Sequence, residues 1–180
     1  EMNNLCKKYP HKLFFIDESY NGFGQISFIN LAKKYKNIFI MRSITKSLGL
    51  ASARVGFLIG HEKSIQPFKA LQTPYPISLF SGKCLKFFIE NKKLVNSYNS
   101  KVAKGREFFC KELKRKKYRI NNGKGLSILI YFNSKSDLNK KYKLLLKNKI
   151  YTKIVNVNSK TFIRVTCAPT QIMKKILKYF

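Results

Sequence analysis

The sequence predicts an α/β protein in which a mostly parallel sheet with helices is followed by a second, smaller α+β region. Two observations support this fold class. Short apolar runs alternate with segments of helical spacing through the first 60 residues, as expected of a layered α/β fold. A proline-free stretch at 79–117 then leads into a second series of strand-like and helix-like segments. With 44% hydrophobic residues, the chain can bury a sizeable core.

The elements of the first region follow from their apolar patterns. Residues 1–9 look like the end of a helix, and the run HKLFFI at 11–16 predicts a buried strand. Residues 28–37 have helical spacing. The runs at 37–43 and 55–60 predict two further strands, separated by an irregular stretch.

The second region begins after two prolines, Pro74 and Pro76, which interrupt the pattern. Apolar residues then recur at helical intervals over 79–117, which predicts one long or kinked helix with the domain boundary inside it. We place the two domains at 1–95 and 96–180. The remaining predicted elements are a strand at 126–132, a helix at 137–148 capped by Ser136 or Asp137, a strand at 162–166 and a helix at 171–180.

The net charge of +29 raises the question of a nucleic-acid partner. The lysines are spread through every segment and accompany many Asn, Ile, Phe and Tyr residues, a set that AT-rich codons supply. We therefore expect no specific nucleic acid and interpret the densest run, at 111–119, as a solvated helix end in preference to a phosphate-backbone contact. The alternative of a basic nucleic-acid-binding fragment predicts steeply salt-dependent binding.

Neither a membrane segment nor a metal site is expected. No apolar run reaches the roughly 18 residues of a spanning helix, and no leader sequence is recognised. The four cysteines lack paired spacing and are expected to be free thiols in a cytoplasmic protein. His11 and His61 are isolated, so no metal is predicted. Because the chain opens at Glu1 inside a predicted helix, we expect it to be a fragment of a longer protein.

Candidate functional residues stand at the ends of the predicted strands, where open α/β sheets bind ligands. Asp17 follows the first apolar run, and Tyr20 comes three residues later. Lys46 follows the second run in the string RSITK, and Arg54 precedes the third. Because these residues come from successive strand-end loops, we expect them to converge.

This set of side chains suits pyridoxal 5'-phosphate. That cofactor requires a lysine for its Schiff base, an acid for its ring nitrogen and a donor near its phenolic oxygen. It also requires hydroxyls and an arginine for its phosphate. The residues able to fill these roles are Lys46, Asp17, Tyr20, Ser43 with Thr45, and Arg54.

Two segments, FFIDESYNGF and MRSITKSLGLASARVGFLIG, resemble signature regions of the fold-type I pyridoxal-phosphate-dependent aminotransferases of class I/II. The closest branch is that of the histidinol-phosphate aminotransferases. The resemblance assigns the ring-nitrogen acid to Asp17 and the ring-oxygen donor to Tyr20. It assigns the string hydroxyl-x-hydroxyl-lysine to Ser43, Thr45 and Lys46. The phosphate-binding arginine corresponds to Arg54. In FIRVTCAP, Arg164 matches the arginine that binds the substrate carboxylate.

The resemblance further implies that 1–95 is the C-terminal part of the large cofactor-binding domain and that 96–180 is the small C-terminal domain. It implies an amino donor and a keto acceptor as substrates, a role in amino-acid biosynthesis, and a homodimer when the protein is full length. A pyridoxal-phosphate-dependent decarboxylase of the phosphothreonine type remains an alternative, because the same residues serve both reactions. The family's glycine-rich phosphate loop, ring-stacking aromatic and ring-oxygen asparagine belong to its N-terminal half, so we expect the 180 residues alone to be inactive. Ser52 stands where the family often has glycine.

Overall fold

The chain consists of two compact units, Glu1–Val95 and Asn96–Phe180. The computed structural model describes residues 1–23, 25–47, 49–121, 123 and 125–180, and for Ser47 it describes the backbone alone. In this part of the chain, no helix combines the length and the hydropathy that crossing a bilayer requires.

The first unit contains a three-stranded sheet in the order β1-β2-β3. Its strands are β1 (Phe14–Asp17), β2 (Ile38–Ser43) and β3 (Gly56–Gly60). β1 runs parallel to β2, whereas β3 runs antiparallel to it. Ile38 and Ile40 are fully buried and share a core with Cys6 and Ala32. The three apolar runs thus form the three predicted strands, although β1 begins at Phe14 and not at His11.

Five helices and one 3-10 turn accompany this sheet. They are α1 (Met2–Lys8), α2 (Ile29–Lys34), α3 (Ile44–Ser47), the 3-10 turn Ala51–Ala53, α4 (Glu62–Ala70) and α5 (Leu79–Glu90). The sequence did not predict α4, which contains Pro67 and buries none of its residues. Its start is capped by His61, whose ring nitrogen accepts a hydrogen bond from the N–H of Lys63 at 3.2 Å.

The stretch predicted as one long or kinked helix is two helices separated by one residue. α5 ends at Glu90, and α6 (Lys92–Arg115) begins after Asn91. The Asn91 side chain donates to the carbonyl of Phe87 at 2.7 Å. Asparagine favours helix ends because its amide competes with the backbone for such hydrogen bonds. The division between the two units falls within α6.

The second unit is an antiparallel sheet in the order β4-β5-β7-β6 with helices. Besides α6, its elements are β4 (Arg119–Asn121), β5 (Ser127–Tyr131), α7 (Lys135–Lys147), β6 (Lys153–Val157), β7 (Lys160–Thr166) and α8 (Thr170–Leu177). The fold class is therefore confirmed. The sequence missed β4 and β6, which are short edge strands without a buried residue.

The predicted cap of α7 was wrong by a few residues. The helix is capped by Ser134, whose hydroxyl accepts from the N–H of Asp137 at 3.0 Å, and not by Ser136 or Asp137. Serine followed three residues later by an acid is a known capping pattern, so the signal was present in the sequence.

The core of the second unit lies on one face of its sheet. Alternate residues of the two central strands are buried, as period-two geometry requires. These residues are Ile128 and Ile130 on β5 and Ile163 and Val165 on β7. On α6, the side chains of Phe109 and Leu113 are also fully buried.

Gly105 brings α6 against the residues that precede and begin α8. A Cβ atom at this position would overlap the carbonyl oxygen of Ala168 and lie 2.8 Å from the N atom of Thr170. Because these neighbours are backbone atoms, Gly105→Ala in the complete protein is expected to lower the free energy of unfolding by about 2–3 kcal/mol. Thermal unfolding, together with hydrogen exchange of α6, measures this loss.

The matched control is Gly82→Ala in α5. Among the described residues, its Cβ would come within 4 Å of the Cδ1 atom of Ile77 alone, at an ordinary 3.7 Å. This change is expected to leave stability unchanged or raise it by up to about 1 kcal/mol, because alanine has the higher helix propensity. Equal effects of the two substitutions would contradict the packing account of Gly105.

Candidate functional site

Loops from all three strands of the first sheet meet at one edge. β1 and β2 are parallel neighbours, with Asp17 opposite Met41, so their carboxyl ends coincide. β3 is antiparallel, with Gly56 opposite Ser43, so the beginning of β3 lies at that same edge. A residue just before β3 therefore lies at the same edge as the residues that follow β1 and β2. This geometry is the reason that Asp17, Lys46 and Arg54 emerge at one edge of the sheet.

Lys46 and Tyr20 are in direct contact. The Nζ atom of Lys46 lies 3.8 Å from the centroid of the Tyr20 ring, a cation–π arrangement. Lys46 lies on α3, directly after β2, and Tyr20 lies in the turn after β1. Tyr20 is 38% exposed, so a ligand can reach its ring. The two predicted residues are thus brought together.

Asp17 is held in a turn by Ser19. The Oδ1 atom of Asp17 accepts hydrogen bonds from the N–H of Ser19, at 2.8 Å, and from its hydroxyl. The Ser19 hydroxyl and then its N–H hold the pKa of Asp17 below the usual 3.8, with a smaller contribution from the charge of Lys46. Ser19 was not among the residues predicted from the sequence, although an aspartate side chain in a turn often accepts from the backbone N–H two residues on.

The hydrogen bonding of Asp17 predicts a measurable pKa. In a carbon-13 titration followed by NMR, the carboxyl of Asp17 should titrate below 3.8, and Ser19→Ala should raise its pKa toward that value. Because the folded pKa is depressed, the associated stability is present above the unfolded pKa and is lost as the pH falls through the folded one. Ser64→Ala, on α4, is the control and should leave the titration unchanged. An unchanged pKa in Ser19→Ala would refute the assigned cause.

The hydroxyls of Ser43 and Thr45 have different surroundings. The Ser43 hydroxyl donates to the carbonyl of Val55 at 3.0 Å and accepts from the N–H of Thr45 at 3.2 Å. Its oxygen is also 2.8 Å from the Oγ1 atom of Thr45. Since Ser43 has one hydroxyl proton, the Thr45 hydroxyl is the donor between them. Ser43 therefore ties the end of β2 to the start of β3, and Thr45 is the better placed of the two to turn toward a ligand.

Arg54 has a left-handed backbone, with φ 49° and ψ 39°. Its guanidinium donates to the carbonyl of Ala51 at 3.3 Å, and the residue is exposed. The preceding turn is anchored by Ser81, whose hydroxyl donates to the carbonyl of Ala53 at 2.6 Å. For a residue other than glycine this conformation is strained, and such strain persists where the surrounding structure imposes it, often at functional sites.

The loops of Lys46 and Arg54 share a small core. Ile44, Ala53 and Val55 are buried together, and the N–H of Ile44 donates to the carbonyl of Val55 at 3.4 Å. These contacts connect α3 to the 3-10 turn before Arg54. The two cationic residues are therefore positioned by one packed cluster.

Glu18 is buried, with 7% of its surface exposed, and its ionic partner is Arg42. The exposed Arg54 is therefore not the ionic partner of Glu18. These contacts indicate a structural role for Glu18. Arg42 was missed, because nothing in the sequence pattern distinguishes its side chain from those of other strand arginines.

The remaining candidate, Arg164, lies on β7 in the second unit, opposite Leu129 on one side and Lys153 on the other. Its role as a carboxylate ligand stays a prediction. Cys167 is 5% exposed, and burial raises its pKa to about 12, so its thiol is an apolar core group at neutral pH. The cysteines are all free thiols. Within the described ranges, no three His, Cys, Asp or Glu side chains are grouped closely enough to hold a metal ion.

Comparison with known proteins places this arrangement in a family context. The family model for aminotransferase class I and II matches residues 1–179. A histidinol-phosphate aminotransferase from Thermotoga sp. (strain RQ2) is 26% identical over 164 residues, covering 91% of this chain and 47% of that protein. The chain thus spans about half the length of this relative.

Solved structures share the fold. The histidinol-phosphate aminotransferase from Sinorhizobium meliloti, in complex with pyridoxal-5'-phosphate, matches with a TM-score of 0.78 and 16% identity. That match covers 92% of this chain and 47% of the solved one. The L-threonine-O-3-phosphate decarboxylase from Porphyromonas gingivalis matches with a TM-score of 0.83 and 16% identity, covering 99% of this chain and 57% of that one.

Proposed function

Because the chain belongs to the class I and II aminotransferase family, we propose that it is the C-terminal part of a pyridoxal-phosphate-dependent aminotransferase. One observation carries the proposal. The ammonium group of Lys46 lies on the ring of Tyr20, and the carboxylate of Asp17 stands at the end of the neighbouring parallel strand. An amine, a phenol and an acid are thereby presented at one edge of the sheet.

The side chains present there fit pyridoxal 5'-phosphate. Asp17 keeps its negative charge to low pH because its pKa is depressed, chiefly by the Ser19 hydroxyl, and such a carboxylate suits a protonated ring nitrogen. The exposed guanidinium of Arg54 and the hydroxyl of Thr45 suit a phosphate. When bound, the cofactor withdraws the electron pair that is left on the substrate's α-carbon.

The proposed roles follow from these chemistries. Lys46 would hold the cofactor covalently and move the proton of the substrate's α-carbon through its Nζ atom. Asp17 would accept a hydrogen bond from the ring nitrogen, and Tyr20 would donate one to the ring oxygen. The phosphate would be bound by Arg54 and Thr45, with Ser43 in support.

Arg164 is proposed to bind the carboxylate or another anionic group of the substrate, because a guanidinium forms two parallel hydrogen bonds with such a group. The substrates would be an amino donor and a keto acceptor. We further propose that the complete protein is a cytoplasmic homodimer, in which residues 1–95 belong to the large domain and residues 96–180 form the small domain. Gel filtration with light scattering of the complete protein tests the dimer.

Arg54 offers a way to separate cofactor binding from stability. Arg54→Gly is expected to weaken cofactor affinity by roughly 10- to 100-fold, through the loss of a charged hydrogen bond. Its unfolding free energy should stay within about 1 kcal/mol of wild type, because relief of the left-handed strain offsets the flexibility of glycine. Fluorescence titration and thermal unfolding measure the two effects.

The comparison variant is Arg54→Ala, which loses the same guanidinium but keeps a side chain in the left-handed conformation. It should bind as poorly as Arg54→Gly and be less stable. Retention of wild-type affinity in both variants would exclude Arg54 from the phosphate site.

The function is tested on the complete protein. Titration with pyridoxal phosphate, reduction with borohydride and mass spectrometry of the Lys46 peptide should reveal a covalent adduct. Incubation with candidate amino donors, including histidinol phosphate, and a keto acid should then transfer the amino group. Absence of both the adduct and the transfer would overturn the proposal. The 180-residue chain tested in parallel should bind the cofactor more weakly.

A decarboxylase remains the second candidate, since the Porphyromonas gingivalis structure shares the fold and the same side chains would serve that reaction. Product analysis separates the two. Release of carbon dioxide from phosphothreonine without amino transfer would favour the decarboxylase. The family assignment weighs against the alternative of a nucleic-acid-binding fragment, which predicts salt-dependent binding without cofactor.

A further inference from the structure

An ion pair between the buried Glu18 and the partly buried Arg42 joins the ends of β1 and β2. The Oε2 atom of Glu18 accepts hydrogen bonds from Arg42, at 3.1 Å from its Nε and 2.9 Å from its Nη2. The same oxygen accepts from the Ser27 hydroxyl at 3.0 Å, and Oε1 accepts from the N–H of Phe28 at 2.6 Å. Arg42 also donates to the Ser27 hydroxyl at 2.8 Å. We call Glu18, Ser27, Phe28 and Arg42 the strand-end clamp.

The clamp lies between the two segments that supply the candidate site. Glu18 directly follows Asp17, and Arg42 directly precedes Ser43. The N–H of Glu18 donates to the carbonyl of Met41 at 2.8 Å, which extends the parallel pairing one residue beyond Asp17. The clamp therefore holds each strand next to the residue from which its functional loop begins, Asp17 on β1 and Ser43 on β2.

Glu18 and Asp17 have opposite environments. Successive side chains of a strand point to opposite faces, and Asp17 is exposed whereas Glu18 is buried. Both carboxylate oxygens of Glu18 are already engaged by donors of this chain. Glu18 thus acts on the site through the backbone of its neighbour and not by touching a ligand.

The chemistry of the clamp favours a geometric role. An ion pair with a buried carboxylate is a weak source of net stability, because desolvation of the charge offsets the attraction. The planar guanidinium restricts the orientation of the carboxylate, because its two N–H groups donate to one carboxylate oxygen at a fixed angle. The Ser27 hydroxyl and the Phe28 N–H further restrict that carboxylate.

We propose that the strand-end clamp positions Asp17 relative to Lys46, so that Glu18 and Arg42 are positioning residues for the cofactor. The inference rests on the proposed function. Disturbing the clamp would shift one strand end against the other and separate the acid and the amine that the cofactor must contact together. Residues that orient direct ligand contacts typically change affinity by about 10- to 100-fold when replaced.

The test uses Glu18→Gln and Arg42→Lys in the complete protein. Both variants preserve size, but the first removes the charge and the second removes the planar fork. Each is expected to weaken pyridoxal-phosphate affinity by about 10-fold or more and to slow turnover. Because the two residues act as one unit, the double variant should lose little more than Glu18→Gln alone. Amide exchange of the cofactor-free protein should accelerate around Ser19 and Lys46.

Two controls separate positioning from stability. Glu90→Gln removes an exposed partner, 3.9 Å from Lys86, and should change nothing. Ile38→Val thins the core at the opposite end of β2, where Ile38 pairs with Phe14. Ile38→Val should lower the melting temperature and leave the cofactor affinity unchanged. This variant therefore shows how the affinity responds to a loss of stability alone.

The outcomes are distinguishable. If the wild-type protein binds the cofactor and both clamp variants match its affinity and turnover, the clamp is structural only and the inference is wrong, while the proposed function stands. If the wild-type protein forms no adduct, the proposed function fails and the clamp's role fails with it. Should Glu18→Gln not fold, Arg42→Lys decides alone, because it retains a positive charge as the partner of Glu18.

Discussion

Replacing Lys46 by alanine in the complete protein is expected to abolish covalent attachment of pyridoxal phosphate and to reduce amino transfer by at least about 10³-fold. The reduction combines the loss of the covalent anchor with the loss of a proton-transfer group, and the latter alone contributes about 10²- to 10⁴-fold. Mass spectrometry after borohydride reduction measures the first effect, and single-turnover kinetics measure the second. Folding should be little affected, since Tyr20, on whose ring the Nζ atom of Lys46 lies, is itself 38% exposed.

The matched control is Lys34→Ala. Its ammonium group also lies over a tyrosine ring, that of Tyr35, with 5.4 Å to the centroid. Lys34 is at the end of α2 and outside the candidate site, so its loss should leave attachment and transfer unchanged. An adduct of undiminished yield in Lys46→Ala would show that another lysine carries the cofactor.

Replacing Asp17 by asparagine is expected to reduce amino transfer by about 10²- to 10³-fold, the range for removing one preorganised electrostatic contact from an active site. Asparagine keeps the shape and still accepts from the Ser19 N–H, so the turn after β1 should persist. What disappears is the negative charge that would keep the ring nitrogen protonated. Asp17→Glu restores the charge at a longer reach and should recover part of the activity.

Asp137→Asn controls for the general effect of changing an aspartate that is bonded to a serine. The Ser134 hydroxyl donates to Asp137 at 3.1 Å, as Ser19 does to Asp17, but this pair caps α7 in the second unit. It should change stability slightly and amino transfer not at all. Equal kinetic losses in Asp17→Asn and Asp137→Asn would remove the case for Asp17 as the partner of the ring nitrogen.

The elements that the sequence predicted correctly are those whose residues bury a regular apolar pattern. β2 and β5 are examples, since two alternate isoleucines in each are fully buried. The elements that it missed lack that signal. α4 buries no residue and contains Pro67, and the edge strand β6 has no residue in the core. The break at Asn91 depends on one side-chain amide competing for a helix carbonyl, which apolar periodicity does not register.

For the candidate site, the order of residues along the chain establishes which chemical groups are available. The order and spacing of Asp17, Lys46 and Arg54 identified the family, which the comparisons confirmed. Residue types and intervals along the chain are enough for that, because covalent order sets which loop each group occupies.

How those groups meet depends on strand direction and on contacts between distant segments. The antiparallel direction of β3 brings the start of that strand, and with it the loop of Arg54, to the edge where β1 and β2 end. Ser19 holds Asp17 through its hydroxyl and N–H, and Arg42, not Arg54, pairs with Glu18. These are contacts made across strand pairs and turns, where burial and hydrogen-bond geometry select one partner among several that the sequence allows.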